Sequence, residues 1–215
     1  GTVSTKMLDE AQEAGTVNVV LEFSMRGGFF RNYSSDMVYS KVMTNFRNTR
    51  YRFLRVLEPG ELDIIPDEII EIEMDEAHIG RVDFSKNVLE VKKNDVYLGE
   101  AKTDSGEVVE VYGTVTAKYI EFCKTINTRA RLVIQQVDGN TFAIKDQRVL
   151  PSSYSWNEKW ANYRGDKRAL TSSQLEFSCR SEPNPPRPEW LFAQTTKPLV
   201  GSSIEYLRGQ YSYLR

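Results

Sequence analysis

The chain has 215 residues, 40% of them apolar, which is enough for one sizeable core or two small ones. With 28 basic side chains against 30 acidic ones the formal net charge is −2, a balance that supplies no broad phosphate-binding footprint and argues against nucleic acid as a partner. No run approaches the ~18 consecutive apolar residues of a spanning helix, and residues 1–15 carry no signal-peptide core, so neither a membrane span nor a leader within this chain is expected.

In chain order, MLDEAQEA favours helix and Gly15 ends it, so residues 1–17 read as a short polar helix or a loose tail. From Val17 the texture is β. The runs are VNVVLEFS (17–24), DMVYSKVM (36–43), TRYRFLRVL (49–57), EIIEIEM (68–74), VLEVKK (88–93), EVVEVYGTVTAKYIEF (107–122), TRARLVIQQV (128–137), TFAIKD (141–146) and SQLEFS (173–178). The turn signals RGG, EPGE, KNDV, TDSGE, VDGN and YRGDK separate them. In the acidic run Ile70, Ile72 and Met74 point one way, and Glu71, Glu73 and Asp75 the other. Helix periodicity is nearly absent after residue 15, so the fold expected is all-β and mostly antiparallel.

NTRYRFLRVLEPGELDIIPD (48–67) lies over NTRARLVIQQVDGNTFAIKD (127–146) without a gap. Asn48/Asn127, Thr49/Thr128, Arg50/Arg129, Arg52/Arg131, Gly60/Gly139, Ile65/Ile144 and Asp67/Asp146 are identical. Each copy reads as a hairpin, turning at Pro59-Gly60 or Asp138-Gly139. The expected organisation is therefore two tandem β-units, 18–98 and 99–180, followed by an extended arm over 181–215. Alternation sets Arg50 and Arg52, and again Arg129 and Arg131, in one row. That row is either a solvated face or a partner for the carboxylates of 67–76, in the same chain or a neighbour. PNPPRP (183–188) reads as an extended spacer with aromatic anchors beyond it: Trp190, Phe192, Tyr206, Tyr211 and Tyr213, then Arg215 at the end. Such an arm either wraps its own domain or docks on another subunit.

Catalytic signatures are missing. There is no Walker A loop, GxGxxG, GxSxG or HExxH, and the acidic run lacks calcium-loop spacing. Cys123 and Cys179 form no CxxC and read as two thiols or one disulfide; His78, the single histidine, sits in a turn-like DEAHIG. The expectation is a protein without catalytic residues, cofactor or metal. WNEKWANYRGDK (156–167) could stack a ring. That gives an alternative, a β-barrel carrier of a pigment or lipid, lined by Tyr154, Trp156, Trp160 and Tyr163.

The doubled phrase NTRYRFL…G…IIPD and NTRARLV…G…AIKD, with the tail from Pro183 to Arg215, resembles the diatom pyrenoid-shell proteins over residues 18–215. The resemblance implies a structural protein that self-assembles through its arm into a sheet. That sheet would enclose the Rubisco-filled pyrenoid in the chloroplast stroma and support CO2 concentration. It also implies itself as partner, with related shell subunits or the Rubisco condensate, and Arg50, Arg52, Arg129, Arg131 and the arm residues as the assembly interface. Independently, unpaired strand edges and non-closing contacts also point to assembly.

Overall fold

Our computed structural model describes residues 2–25, 36–49, 51–57 and 64–214. The chain forms two compact units. The first comprises Gly1–Ile79, Asn127–Tyr154 and Arg187–Arg215, and the second Gly80–Ile126 and Ser155–Pro186. These units are discontinuous in sequence, unlike the linear division into 1–17, 18–98, 99–180 and 181–215.

In the first unit strand β1 (Val17–Met25) lies between β2 (Leu54–Val56) and β3 (Glu68–Ile79) and runs parallel to both. β3 pairs antiparallel with residues 128–138 of β5 (Val108–Asp138). The sheet is thus β-rich and mixed, in the order β2-β1-β3-β5, with parallel pairs at β1 that the sequence reading did not expect beside the antiparallel ones. A parallel pair needs a crossover, and helix α2 (Asp36–Asn48) lies between β1 and β2 in the chain. Alternation places Ile70, Ile72 and Met74 on the buried face with Val19, Leu21, Ala130, Leu132 and Ile134. Val38, Val42, Met43 and Phe46 of α2 and Phe192, Leu199 and Leu207 of α4 (Pro188–Gln210) cover that face. Each large aliphatic buried there contributes about 1.5–3 kcal/mol. Helix α1 (Thr2–Ala14) opens the chain, and the Gly15 N–H closes it on the Ala11 carbonyl at 3.2 Å.

The all-β expectation is corrected at three places. DMVYSKVM is the start of α2: its buried residues Val38, Val42, Met43 and Phe46 recur at three to four residues, a helical stripe that its Val and Tyr content disguises. SQLEFS lies in α3 (Ser172–Ser178), which Thr171 and Gln174 close with a capping box. The expected C-terminal arm is α4, with Pro188 at its first turn and Leu191, Phe192, Leu199 and Leu207 buried. Half-polar residues hide its inner face from a hydrophobicity reading. Thr195, Thr196 and Ser203 are buried because their hydroxyls donate to the Leu191, Phe192 and Leu199 carbonyls at 2.7, 2.9 and 2.7 Å. The chain end adds to the same core: the Arg52 N–H donates to the Leu214 carbonyl at 3.0 Å.

The duplicated phrase does not make two equivalent hairpins. Asn48 ends helix α2, whereas Asn127 lies inside β5. The first expected turn, Pro59-Gly60, lies outside the described residues. The second is present. The Asp138 carboxylate accepts from Asn140 and Thr141 backbone N–H groups at 3.1 and 2.9 Å, joining β5 to its pairing partner β6 (Ile144–Gly165). Gly139 is required there, because a Cβ would collide with the Pro66 carbonyl.

In the second unit β4 (Asp83–Lys102) pairs antiparallel with Val108–Thr125 of β5, turning through residues 103–107. KNDV is a bulge inside β4 instead of a turn, with Asp95 at φ 54°. The core of this unit is Val96, Val115, Ala117, Tyr119, Ala161, Ala169 and Leu170, with Val91, Leu175 and Phe177 packed on it. Arg168 clamps Asp166, at the end of β6, and donates to the Tyr97 carbonyl at 2.6 Å.

Candidate interaction surface

The β4–β5 ribbon runs on past its own core. Val96 and Val115 are buried, so the face that carries them is fixed, and alternation carries Gly113, Val111 and Val109 onto the same face. Leu98 joins them: its Cδ1 lies 2.6 Å from where a Gly113 Cβ would stand, so the glycine makes room for the leucine. The strip Val96–Leu98–Val111–Val109 therefore starts in the core and ends in solvent, where Leu98 is 49% and Val109 42% exposed. On the opposite face Tyr97 meets Tyr112 edge-on at 5.8 Å. The Tyr112 hydroxyl donates to Glu110 at 2.8 Å, which raises the tyrosine pKa above its ordinary value. Glu100 stands directly opposite Glu110, an unfavourable like-charge pair. Apolar and aromatic residues thus face outward on both sides of one ribbon.

Nearer the ribbon's base, Phe122 stacks on buried Trp160 at 5.4 Å, and Phe84 packs on both rings while remaining 56% exposed. The Lys124 ammonium lies 5.4 Å over Trp160, pairs with Glu182 at 2.5 Å and donates to the Pro183 carbonyl at 3.1 Å. The proline-rich spacer is thereby anchored to its own unit.

The residues expected at an assembly interface are spread differently. Arg50 and Arg215 lie outside the described residues. Arg52 is exposed, its guanidinium 5.3 Å from the Phe53 ring. Arg129 pairs with Glu76 at 2.6 Å and Arg131 with Asp75 at 2.8 Å, so this half of the row meets the acidic strand of the same chain. The Asp75 contact raises the Arg131 pKa. Trp190 is half exposed and meets Tyr154 edge-on at 5.8 Å; Tyr213 is exposed. Phe192 and Tyr211 are buried in the core of the first unit. Tyr206 donates to Asp146 at 2.8 Å, and burial with that bond holds its pKa well above the ordinary value. Tyr211 donates to Glu68 at 2.7 Å, Gln136 donates to the same oxygen at 2.6 Å, and Lys145 bridges Glu68 and Asp138 at 3.2 and 2.9 Å. This network ties the chain end to the sheet and had no sequence signal, because its members are up to 143 residues apart.

The residues proposed to line a carrier's cavity are divided too: Tyr154 belongs to the first unit, and Trp156, Trp160 and Tyr163 to the second. Cys123 and Cys179 are both free thiols. Among the described residues no group of three His, Cys, Asp or Glu is placed to hold a metal, and no helix is long and apolar enough to cross a membrane. A shallow groove of about 240 Å³ on the outer face of the first sheet is lined by Glu22, Glu71 and Glu73 with Gln135. The ribbon's apolar character has a sequence signal in retrospect: VVEVYG and VYLG carry apolar residues at adjacent positions, which a strand must send to both faces.

No family model matches the chain, and no curated protein matches it. Among solved structures, the hypothetical protein CT253 from Chlamydia trachomatis aligns with 90% of this chain and 99% of its own at 8% identity and a TM-score of 0.38. A PelC dodecamer from Paraburkholderia phytofirmans, a single-residue variant, aligns with 86% of this chain and 88% of its own at 8% identity and a TM-score of 0.27. At these scores neither likeness bears on this chain's fold or role.

Proposed function

We propose that this protein is a structural, self-associating protein whose copies join through the β4–β5 ribbon of the second unit. The observation that carries the reading is the strip Leu98–Val111–Val109, continuous with a buried core yet exposed, on a ribbon whose other face presents Tyr97 and Tyr112. Contiguous apolar surface of this kind is costly in a lone molecule and marks contact sites. β4 adds a second reason. It is a 20-residue strand that pairs with β5 alone among the described residues, and long unpaired edges attract further strands. The pyrenoid-shell resemblance was carried by a duplicated hairpin and a free arm. The phrase occupies a helix end and a strand, and the arm is a core helix, so the proposal retains self-association and leaves out shell, chloroplast and Rubisco.

Sedimentation velocity of the whole chain from about 1 to about 100 µM, the range that reads a micromolar Kd, tests the proposal. A concentration-dependent oligomer that Leu98→Asp with Val111→Asp weakens, with circular dichroism unchanged, is the expected result. A monomer throughout overturns it, and flotation of that monomer with phosphatidylcholine vesicles would assign the ribbon to lipid instead.

A further inference from the structure

The edge of β4 away from β5 has no strand partner among the described residues. Residues Asp83–Lys93 pair with Thr125–Val115 rung by rung without a shift, and the first bulge comes only after Lys93. This unshifted run has Val88 at its midpoint. Residues Asp83 to Glu90 are all exposed, with only Phe84 and Lys86 leaning on rings of their own unit. We propose that two copies join antiparallel along this edge, with Val88 on the two-fold axis, to make one sheet continuous through both molecules. This rests on the self-association reading above and adds to the Leu98–Val111–Val109 strip a second contact, along the β4 edge, with a stated register.

The charge pattern selects the register. In an antiparallel pair directly opposed residues share a face, so a two-fold axis must pass through a residue position, not between two. With the axis at Val88, Lys86 faces Glu90 of the other copy on one face, and Asp83 faces Lys93 on the other. Symmetry makes each pair twice. Phe84 then faces Lys92, ring against ammonium. An axis at Leu89 sets Lys86 against Lys92, two like charges. An axis at Asn87 sets Lys86 against Val88 and Phe84 against Glu90, leaving the charges without partners. Asp83, Lys86, Glu90, Lys92 and Lys93 make no ion pair among the described residues. The Lys86 ammonium only overhangs Phe122 at 6.0 Å, and Glu90 stands across from Lys118 of β5. Opposite charges directly across a strand pair stabilise it, and like charges there destabilise it. The contact is isologous, and it closes at two copies.

The test is charge reversal in the whole chain. Lys86→Glu and Glu90→Lys should each weaken the dimer by about tenfold or more in sedimentation velocity, since symmetry converts two attractive pairs to repulsive ones. Combining them restores opposite charge across the axis and should return the dimer close to the wild-type Kd. Val88→Cys should cross-link to its symmetry mate under mild oxidation, while Glu90→Cys, far from its own mate, should not; the wild type, with Cys123 and Cys179, is the background. If the wild type associates but the single reversals leave its Kd unchanged, or the double variant fails to recover, the β4 register is overturned and self-association stands. If the wild type stays monomeric, both fall.

Discussion

Tyr211→Phe isolates one of the bonds that tie the C-terminal segment to the first unit. Tyr211 is fully buried, with its ring 5.6 Å from Phe46 and its hydroxyl 2.7 Å from a Glu68 oxygen. Phenylalanine preserves the ring contacts and deletes the donor. Glu68, itself buried, then retains Gln136 and Lys145 but loses one of its three partners. Removing one partner of a buried hydrogen bond costs about 1–3 kcal/mol. At this chain length that lowers the Tm by about 2–12 °C. Urea and thermal unfolding followed by far-ultraviolet circular dichroism read both, and Tyr213→Phe, at an exposed position, is the control. Burial first, and then the Glu68 bond, raises the Tyr211 pKa above its ordinary 10.0. Its stabilising contribution is thus whole below pH 10 and is lost as the pH climbs beyond that value. The wild type should destabilise more steeply above pH 10 than Tyr211→Phe does. A variant within about 0.5 kcal/mol of wild type, the range of an ordinary surface change, would refute the reasoning.

A chain ending at Arg187 loses Leu191, Phe192, Leu199, Leu207 and Tyr211 from the first core, so its first unit should not fold; protease resistance and a cooperative melt equal to the full chain's would contradict this. Gly139→Ala forces a Cβ into the Pro66 backbone and should cost about 1–3 kcal/mol in urea unfolding, the usual range for overpacking. Asp166 is held down to about 2, first by Arg168, so its contribution is present above its ordinary 3.8 and lost as the pH falls from there toward 2. Asp166→Asn should flatten the acid limb of stability in that window, and an unchanged limb would show that the Arg168 clamp does not couple to folding.

Periodicity over a few residues was enough to find β1, β3 and most of β5, but only residues 88–93 of β4 and 144–146 of β6. A strand with one buried face writes that face into every second residue, as Ile70, Ile72 and Met74 do. The carboxylates for Arg129 and Arg131 were also legible, as an acidic strand of matching alternation, although not that they would come from the same chain. Three features came only with tertiary structure. Val38, Val42 and Phe46 are β-favouring or neutral residues whose helical spacing is decided in favour of a helix only because the sheet of β1 and β3 needs cover. Thr195, Thr196 and Ser203 can be buried in α4 because its own carbonyls accept their hydroxyls, so a segment that reads as polar makes an inner face. The repeated NTR is a helix end once and a strand once. Three letters set backbone preferences worth about 1 kcal/mol or less per residue, and burial against residues far away in the chain outweighs them.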